Sequence, residues 1–490
     1  MTAGNPPPVP PTGNPPPVPP GRRRVPVPPG RGRPGVPAGG PRPAAREAGR
    51  RDHAAGLATG PVGRLLLGTS AHTTMSVATY GCYALTNAWF VSRGAGTQAL
   101  VAVNLVSPVL LVLGAVSTTV GAGGASLVSR SLGGGNPRQA ARAAGNTFLV
   151  FWATAVAVTV LGLLLLDPLL TLLGATGGTR ADARSYAGIM LAGAVTATGF
   201  SSLVRAEGRL GFSTLLWMLP VLCQILLDPL LIFGLGLGVR GAALGTLGGQ
   251  GLSLAMSLWF FFVQRDRPYR IRPGDLRPHG PTLRELLAVG APSFLSGFGN
   301  TLIMLLANNR LAATGDPAAL AAYATCVRVG TFVLMPQTGI AQGMQPLIGY
   351  NAGRGLLARA ERTRVLALRA TALYGAAVCL ALLAAADPLA AAFADEQVAR
   401  RATAEAMRII ALGYPFAGVP ALLSTYFQAR GRPRPSLLIS VGSLTGVHLP
   451  VLLVLGWFGT PWLWIAFPAA ALLSAAGAMA VLHRAAPRRG

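Results

Sequence analysis

The chain has 490 residues, of which 51% are hydrophobic and only 11% charged, with a formal net charge of +26. So few ionisable groups among repeated long apolar runs exclude an ordinary soluble protein and imply a polytopic membrane protein. The positive balance does not point to nucleic acid, because it sits in short clusters between apolar runs and in the N-terminal stretch, the pattern that orients membrane proteins.

All 41 basic residues are Arg. A Walker A loop needs a Lys beside the phosphates, so ATP is not the direct fuel within this chain. Cys82, Cys223, Cys326 and Cys379 stand singly in different apolar runs, which suggests neither a metal knuckle nor a disulfide framework. With no HExxH, no GxSxG and only isolated His residues, neither an enzyme nor a bound cofactor or metal is expected.

Residues 1–55 hold two copies of GNPPPVPP (Gly4–Pro11 and Gly13–Pro20) followed by Arg-rich, Gly/Pro-rich sequence. Such a tract cannot bury a core and reads as a disordered cytoplasmic tail. It lacks the apolar stretch of a cleavable signal peptide. From Gly60 onward about twelve apolar segments reach spanning length. The first six are 64–91, 99–128, 145–167, 186–204, 212–235 and 241–263; the second six are 285–312, 318–348, 364–386, 403–427, 435–457 and 460–482.

Arg residues crowd every second connection. Arg130, Arg138 and Arg142 follow the second run, and Arg205 and Arg209 the fourth. Arg265, Arg267, Arg270, Arg272, Arg277 and Arg284 surround the link after the sixth, and Arg354, Arg359, Arg362 and Arg364 follow the eighth. The alternate connections carry Asp167, Asp182, Asp316, Asp387, Asp395 and Glu396. The positive-inside rule therefore places both termini in the cytoplasm of a cell whose inner membrane this chain spans many times.

The runs repeat. Gly60-Pro61 recurs as Gly280-Pro281, an offset of 280 − 60 = 220, and the same offset carries Gly123 to Gly343, Gly133 to Gly353 and Asp167-Pro168 to Asp387-Pro388. Two six-span halves of one topology follow, a plan that builds transporters. The domains expected are the tail 1–55, an N-lobe 56–264, a cytoplasmic linker 265–282, a C-lobe 283–483 and a short tail 484–490.

Three segments carry a family resemblance: GAGGASLVSRSLGGGN (Gly121–Asn136), LLDPLLIFGLGLGVRGAAL (Leu226–Leu244) and GIAQGMQPLIGYNAG (Gly339–Gly353). With them, residues 60–483 resemble the multidrug and toxic compound extrusion (MATE) family of secondary exporters. That resemblance implies an all-α protein of twelve transmembrane helices in two lobes around a V-shaped central cavity. It also implies exchange of a proton, or less readily sodium, for a small organic compound, often cationic and amphiphilic, by a monomer in the lipid bilayer. The first-lobe cation site of many bacterial members uses an Asp in span one, an Asn and an Asp in span five, and a Thr in span six. Here Asn87, within YALTNAWF (Tyr83–Phe90), stands where the span-one Asp usually does, and Gln224 replaces the usual Asn. Asp228 and Thr246 match. One carboxylate and one hydroxyl thus survive between two amides, which suits one proton better than a sodium ion.

An Asp inside an apolar run costs roughly 3 kcal/mol at a membrane helix centre, so Asp228 needs partners or a task; capping the proline break of LDP is the structural alternative. Candidate substrate-cavity residues are Asn300, Asn308, Arg328, Met335, Gln345 and His448. His72 reads as a packed or interfacial residue, and Trp217, Trp457, Trp462 and Trp464 as an interface belt. A flippase for a lipid-linked precursor and, in view of Asn87, an uncoupled sensor-like homologue are the competing readings. Arg328, alone as an Arg deep in an apolar run, weighs against the flippase, since pyrophosphate demands more positive charge.

Overall fold

The computed structural model describes residues 55–175, 177–196, 199–394 and 396–485. The Pro/Arg-rich tail up to residue 54, residues 486–490 and Asp395 lie outside them. The described residues are helical almost throughout, with no strand among them. Eight helices are long and apolar enough to cross a membrane, and two more passes are bent pairs. These are α3 (Pro137–Leu164), α5 (Leu210–Gly234), α6 (Gly238–Val263), α7 (Gly280–Thr314), α8 (Pro317–Gly353), α9 (Leu357–Phe393), α11 (Pro433–Phe458) and α12 (Thr460–Ala485). The pairs are α4 (Gly177–Ala192 with Ser201–Ala206) and α10 (Gln397–Ala411 with Tyr414–Ala429, bent by 48°). Helices α1 (Val62–Gly94, 33 residues) and α2 (Thr97–Gly133, 37 residues) are long enough to cross as well. The described residues thus hold twelve helical segments long enough to cross, 8 + 2 + 2, of which ten are also apolar enough by composition.

Local chemistry starts and bends these helices. Asn136 accepts from the Gln139 N–H at 3.0 Å with Pro137 in the first turn of α3. Asp316 accepts from Ala318 and Ala319 at 2.9 and 3.2 Å ahead of Pro317 at the start of α8. Pro229 interrupts the α5 ladder, and a wide π turn, Leu230–Gly234, follows it. Its repeat counterpart α11 carries a wide turn too, Gly442–His448, just ahead of Pro450.

The two six-helix halves cross through glycines. Gly133 of α2 lies against the Tyr350 carbonyl of α8, and Gly353 of α8 lies against the Arg130 carbonyl of α2. Both pairs differ by the repeat offset (353 − 133 = 220 and 350 − 130 = 220), so the crossing is pseudo-two-fold. Further along, Gly123 meets the Leu286 carbonyl, Gly290 meets Thr119, Gly343 meets Ser70 and Gly339 meets Thr74. A side chain at any of these would push the backbones apart, which is why small residues mark membrane-helix crossings.

Core packing divides the molecule along its length. One cluster draws on both halves at the arginine-rich end, joining Leu66, Val128, Phe148 and Phe200 to Met344, Leu347, Tyr426 and Phe427. At the other end there are two separate cores. Val91, Ala102, Leu170, Tyr186 and Ile232 belong to the N-lobe, and Leu311, Tyr323, Met407, Leu452 and Trp464 to the C-lobe. Lobes that share a core at one end and part at the other form a V.

The linker is pinned to α3. Asn146 donates to the Asp275 and Arg277 carbonyls at 3.2 and 3.3 Å and accepts the His279 N–H at 2.9 Å. Arg267 is buried in an ion pair with Glu207, donates to the Phe261 carbonyl at 2.8 Å, and stacks on Phe260, Phe261 and Tyr269 with centroid distances of 4.8, 4.4 and 4.6 Å. Burial pushes the Tyr269 phenol well above its usual value.

Candidate functional site

Helices α1 and α5 run in the same direction and face each other with polar stripes. On α1 the stripe is His72, Ser76, Tyr80, Tyr83 and Asn87; on α5 it is Thr214, Trp217, Gln224 and Asp228, all at helical spacing. They pair in register. His72 Nδ1 lies 3.0 Å from Thr214 Oγ1, and the Tyr80 ring meets Trp217 edge-on at 6.0 Å. Trp217 donates to Ser201 Oγ at 3.0 Å.

At the far end of the stripe the four expected residues come together, all buried: Asn87, Gln224, Asp228 and Thr246 are 6%, 4%, 1% and 2% exposed. Gln224 Nε2 donates to Thr246 Oγ1 at 3.1 Å and reaches Asp228 Oδ2 at 3.4 Å. Thr246 donates to the Ala242 carbonyl at 3.0 Å, and the Tyr83 hydroxyl lies 3.5 Å from its Oγ1. Asn87 sits near enough to act on the Asp228 carboxylate, yet its Nδ2 and Asp228 Oδ1 make no hydrogen bond. A buried acid with an unpartnered oxygen is under-satisfied as a purely structural group, since such an atom costs roughly 1–3 kcal/mol. Asp228 follows the i, i+4 spacing to Gln224 rather than capping the Pro229 break.

Helix α6 makes room for this carboxylate. Gly241, Gly245 and Gly249 form a stripe at four-residue spacing against α5: Gly241 on the Leu231 backbone, Gly249 on the Pro220 carbonyl, and Gly245 directly on Asp228 Oδ1. Tyr83 and Gly245 are site residues that motif matching passed over. The i, i+3/i+4 polar spacing along 72–87 was the available signal for the first, and the small-xxx-small pattern of 241–249 for the second.

The six cavity candidates do not form one cluster. Gln345 is 6% exposed and donates to the Ala122 carbonyl at 3.1 Å, a tie between the halves. Met335 is buried against Gly81 of α1. His448 Nδ1 donates to the Ser443 carbonyl at 2.8 Å beside Ser474 Oγ, in the repeat position of Asp228 (448 − 228 = 220). Asn300 and Arg328 are exposed and Asn308 half-buried. Among the tryptophans, Trp457 and Trp462 are exposed as a belt requires, but Trp464 is buried beside Tyr323 and Trp217 packs inside the N-lobe. The interface reading of those two is corrected, because each ring found a tertiary partner.

Comparison with known proteins completes this picture. A family model described as MatE matches residues 73–230 and 292–454, one segment in each half. The FAD transporter of Shewanella oneidensis is 27% identical over 404 residues, covering 81% of this chain and 88% of that protein. The multidrug export protein MepA of Staphylococcus haemolyticus is 26% identical over 379 residues, covering 76% and 82%. An outward-facing multidrug resistance MATE family transporter of the MOP superfamily shares the fold, with a TM-score of 0.82 at 24% identity over 87% of this chain and 97% of that one.

Proposed function

Because the chain belongs to the MatE family and is therefore a membrane transporter of the multidrug efflux type rather than an enzyme, we propose that it exchanges a proton at Asp228 for a small organic compound carried out of the cell. The observation that carries this reading is the buried Asp228 with its unpartnered Oδ1, held between Asn87, Gln224 and Thr246. With amides in place of a second acid, the site holds at most one negative charge, which suits a proton better than sodium. Sodium-driven exchange without proton dependence would contradict it.

The arginine-rich end faces the cytoplasm by the positive-inside rule, so the separated ends of the lobes open outward. Proton entry from that side neutralises Asp228 and removes the ionic pull of its carboxylate on Gln224 and Asn87. Helix α1 then repacks on α5 and expels the compound. A proton moving inward releases about 2.3 kcal/mol per 100 mV of membrane potential, enough to sustain a substantial gradient. Substrates extend from multidrug-type amphiphiles, on the strength of MepA, to phosphate-bearing aromatics, on the strength of the FAD transporter.

The test is efflux of a panel of anionic, neutral and cationic dyes from vesicles under separate proton and sodium gradients. Asp228→Asn is expected to abolish efflux at unchanged membrane content; full efflux by that variant refutes the proposal.

A further inference from the structure

We propose that Arg328 is the charge-selecting residue of the cleft between the lobes, and that it selects a planar organic anion. This rests on the transporter reading above and names the substrate class of that cleft.

Arg328 is the twelfth residue of α8, about 16 Å from the start of the helix at 1.5 Å per residue, a depth where an unpaired guanidinium is costly. It is exposed and, among the described residues, enters no ion pair or hydrogen bond. Its helix face is fixed by its neighbours. Met335 and Phe332 of the same helix both pack on the Gly81 backbone of α1, and they lie seven and four residues on, within about 40° of Arg328 at 3.6 residues per turn. The opposite face of α8 is the one committed to the C-lobe. Cys326 is buried in its core, Gly330 abuts the Tyr414 hydroxyl, and Gln337 donates to the Tyr414 carbonyl at 2.9 Å. Arg328 therefore points at the N-lobe across the cleft, about one turn beyond the contact of Phe332 with Gly81.

Among the described residues, the facing surfaces supply no acid. Past Gly81, α1 presents Leu85 and Trp89, 58% and 56% exposed. Helix α7, whose Gly290 and Gly297 face α2, continues that face to Asn308, and α2 continues its own from Ala115 to Asn104, which is exposed. The carboxylate at comparable depth, Asp228, is sealed inside the N-lobe at 1% exposure. Asp387 and Glu405 gather with Arg401 and Arg408 where α9 meets α10, and Asp316 caps the start of α8. The cleft thus offers one cation, aromatic faces from Trp89 and Phe332, and two amides. That combination pairs with one anionic group and stacks on a flat ring system, and it repels the cationic amphiphiles expected from the sequence.

Binding of carboxyfluorescein and of ethidium to purified protein in nanodiscs, read by anisotropy without any gradient, tests this. Carboxyfluorescein is expected to bind and ethidium to bind at least tenfold more weakly. Arg328→Gln is expected to weaken carboxyfluorescein at least tenfold with an unchanged melting temperature, and Arg328→Lys to restore most of the loss. Preference for ethidium, or indifference of carboxyfluorescein to Arg328→Gln, overturns the inference. Equal binding in phosphatidylcholine and phosphatidylglycerol discs supports a soluble anion, whereas competition by phosphatidylglycerol reassigns Arg328 to a lipid headgroup and overturns it. Binding without movement in proteoliposomes defeats the transport reading alone; efflux of ethidium but not of carboxyfluorescein defeats the anion alone.

Discussion

Gly245 decides where the Asp228 carboxylate can lie, because any Cβ there would overlap Oδ1. Gly245→Ala should displace the acid from Gln224 and cut the efflux rate severalfold while leaving yield unchanged; efflux at the wild-type rate would show that the carboxylate tolerates the shift. A different residue-scale device holds the linker. Glu207→Gln leaves Arg267 buried without its counter-charge, and breaking a buried pair from one side costs about 3–5 kcal/mol, so a clear fall in melting temperature is expected. Tyr269 adds a pH dependence. Its phenol is raised by burial, so the folded state holds the proton more tightly than the unfolded chain, whose tyrosines titrate near pH 10. The stability is complete below about pH 10 and is lost as the pH rises beyond it. Tyr269→Phe should flatten that loss in melting curves taken between neutral and alkaline pH.

At the scale of elements, the helices are held by backbone approach rather than by charge. Gly133 on the Tyr350 carbonyl and Gly353 on the Arg130 carbonyl are repeats of one contact. Substituting Leu at either should therefore lower the melting temperature by similar amounts, whereas Gly211→Ala, with nothing within 4 Å of the added carbon, should be neutral. Unequal effects at the two crossings would mean that the pseudo-symmetry is geometric but not energetic. Element positions were readable in the sequence, because long apolar runs have few other fates in a lipid solvent. Ends were less so: α1 and α2 extend from 64–91 and 99–128 to Val62–Gly94 and Thr97–Gly133, since helices continue past the apolar core until a Gly or a cap stops them. The bend within α10 at Leu412-Gly413 falls just ahead of Pro415, in the first turn of the second segment, whose missing N–H interrupts the helical ladder there.

For the whole molecule, the proposed orientation predicts that green fluorescent protein fused after Gly490 fluoresces and that alkaline phosphatase fused there is inactive; the reverse pattern would invert the molecule. What the sequence by itself determined is the membrane class, the twelve runs, the 220-residue repeat and the identity of Asp228, because these rest on composition, length and local spacing. Only the tertiary structure decided that His72 and Trp217 belong to the N-lobe stripe and that Gln345 ties the halves together. Each depends on contacts between residues tens to hundreds of positions apart. Periodicity shows that a residue shares a face with its neighbours, while the crossing of the helices fixes whether that face meets lipid, core or cleft.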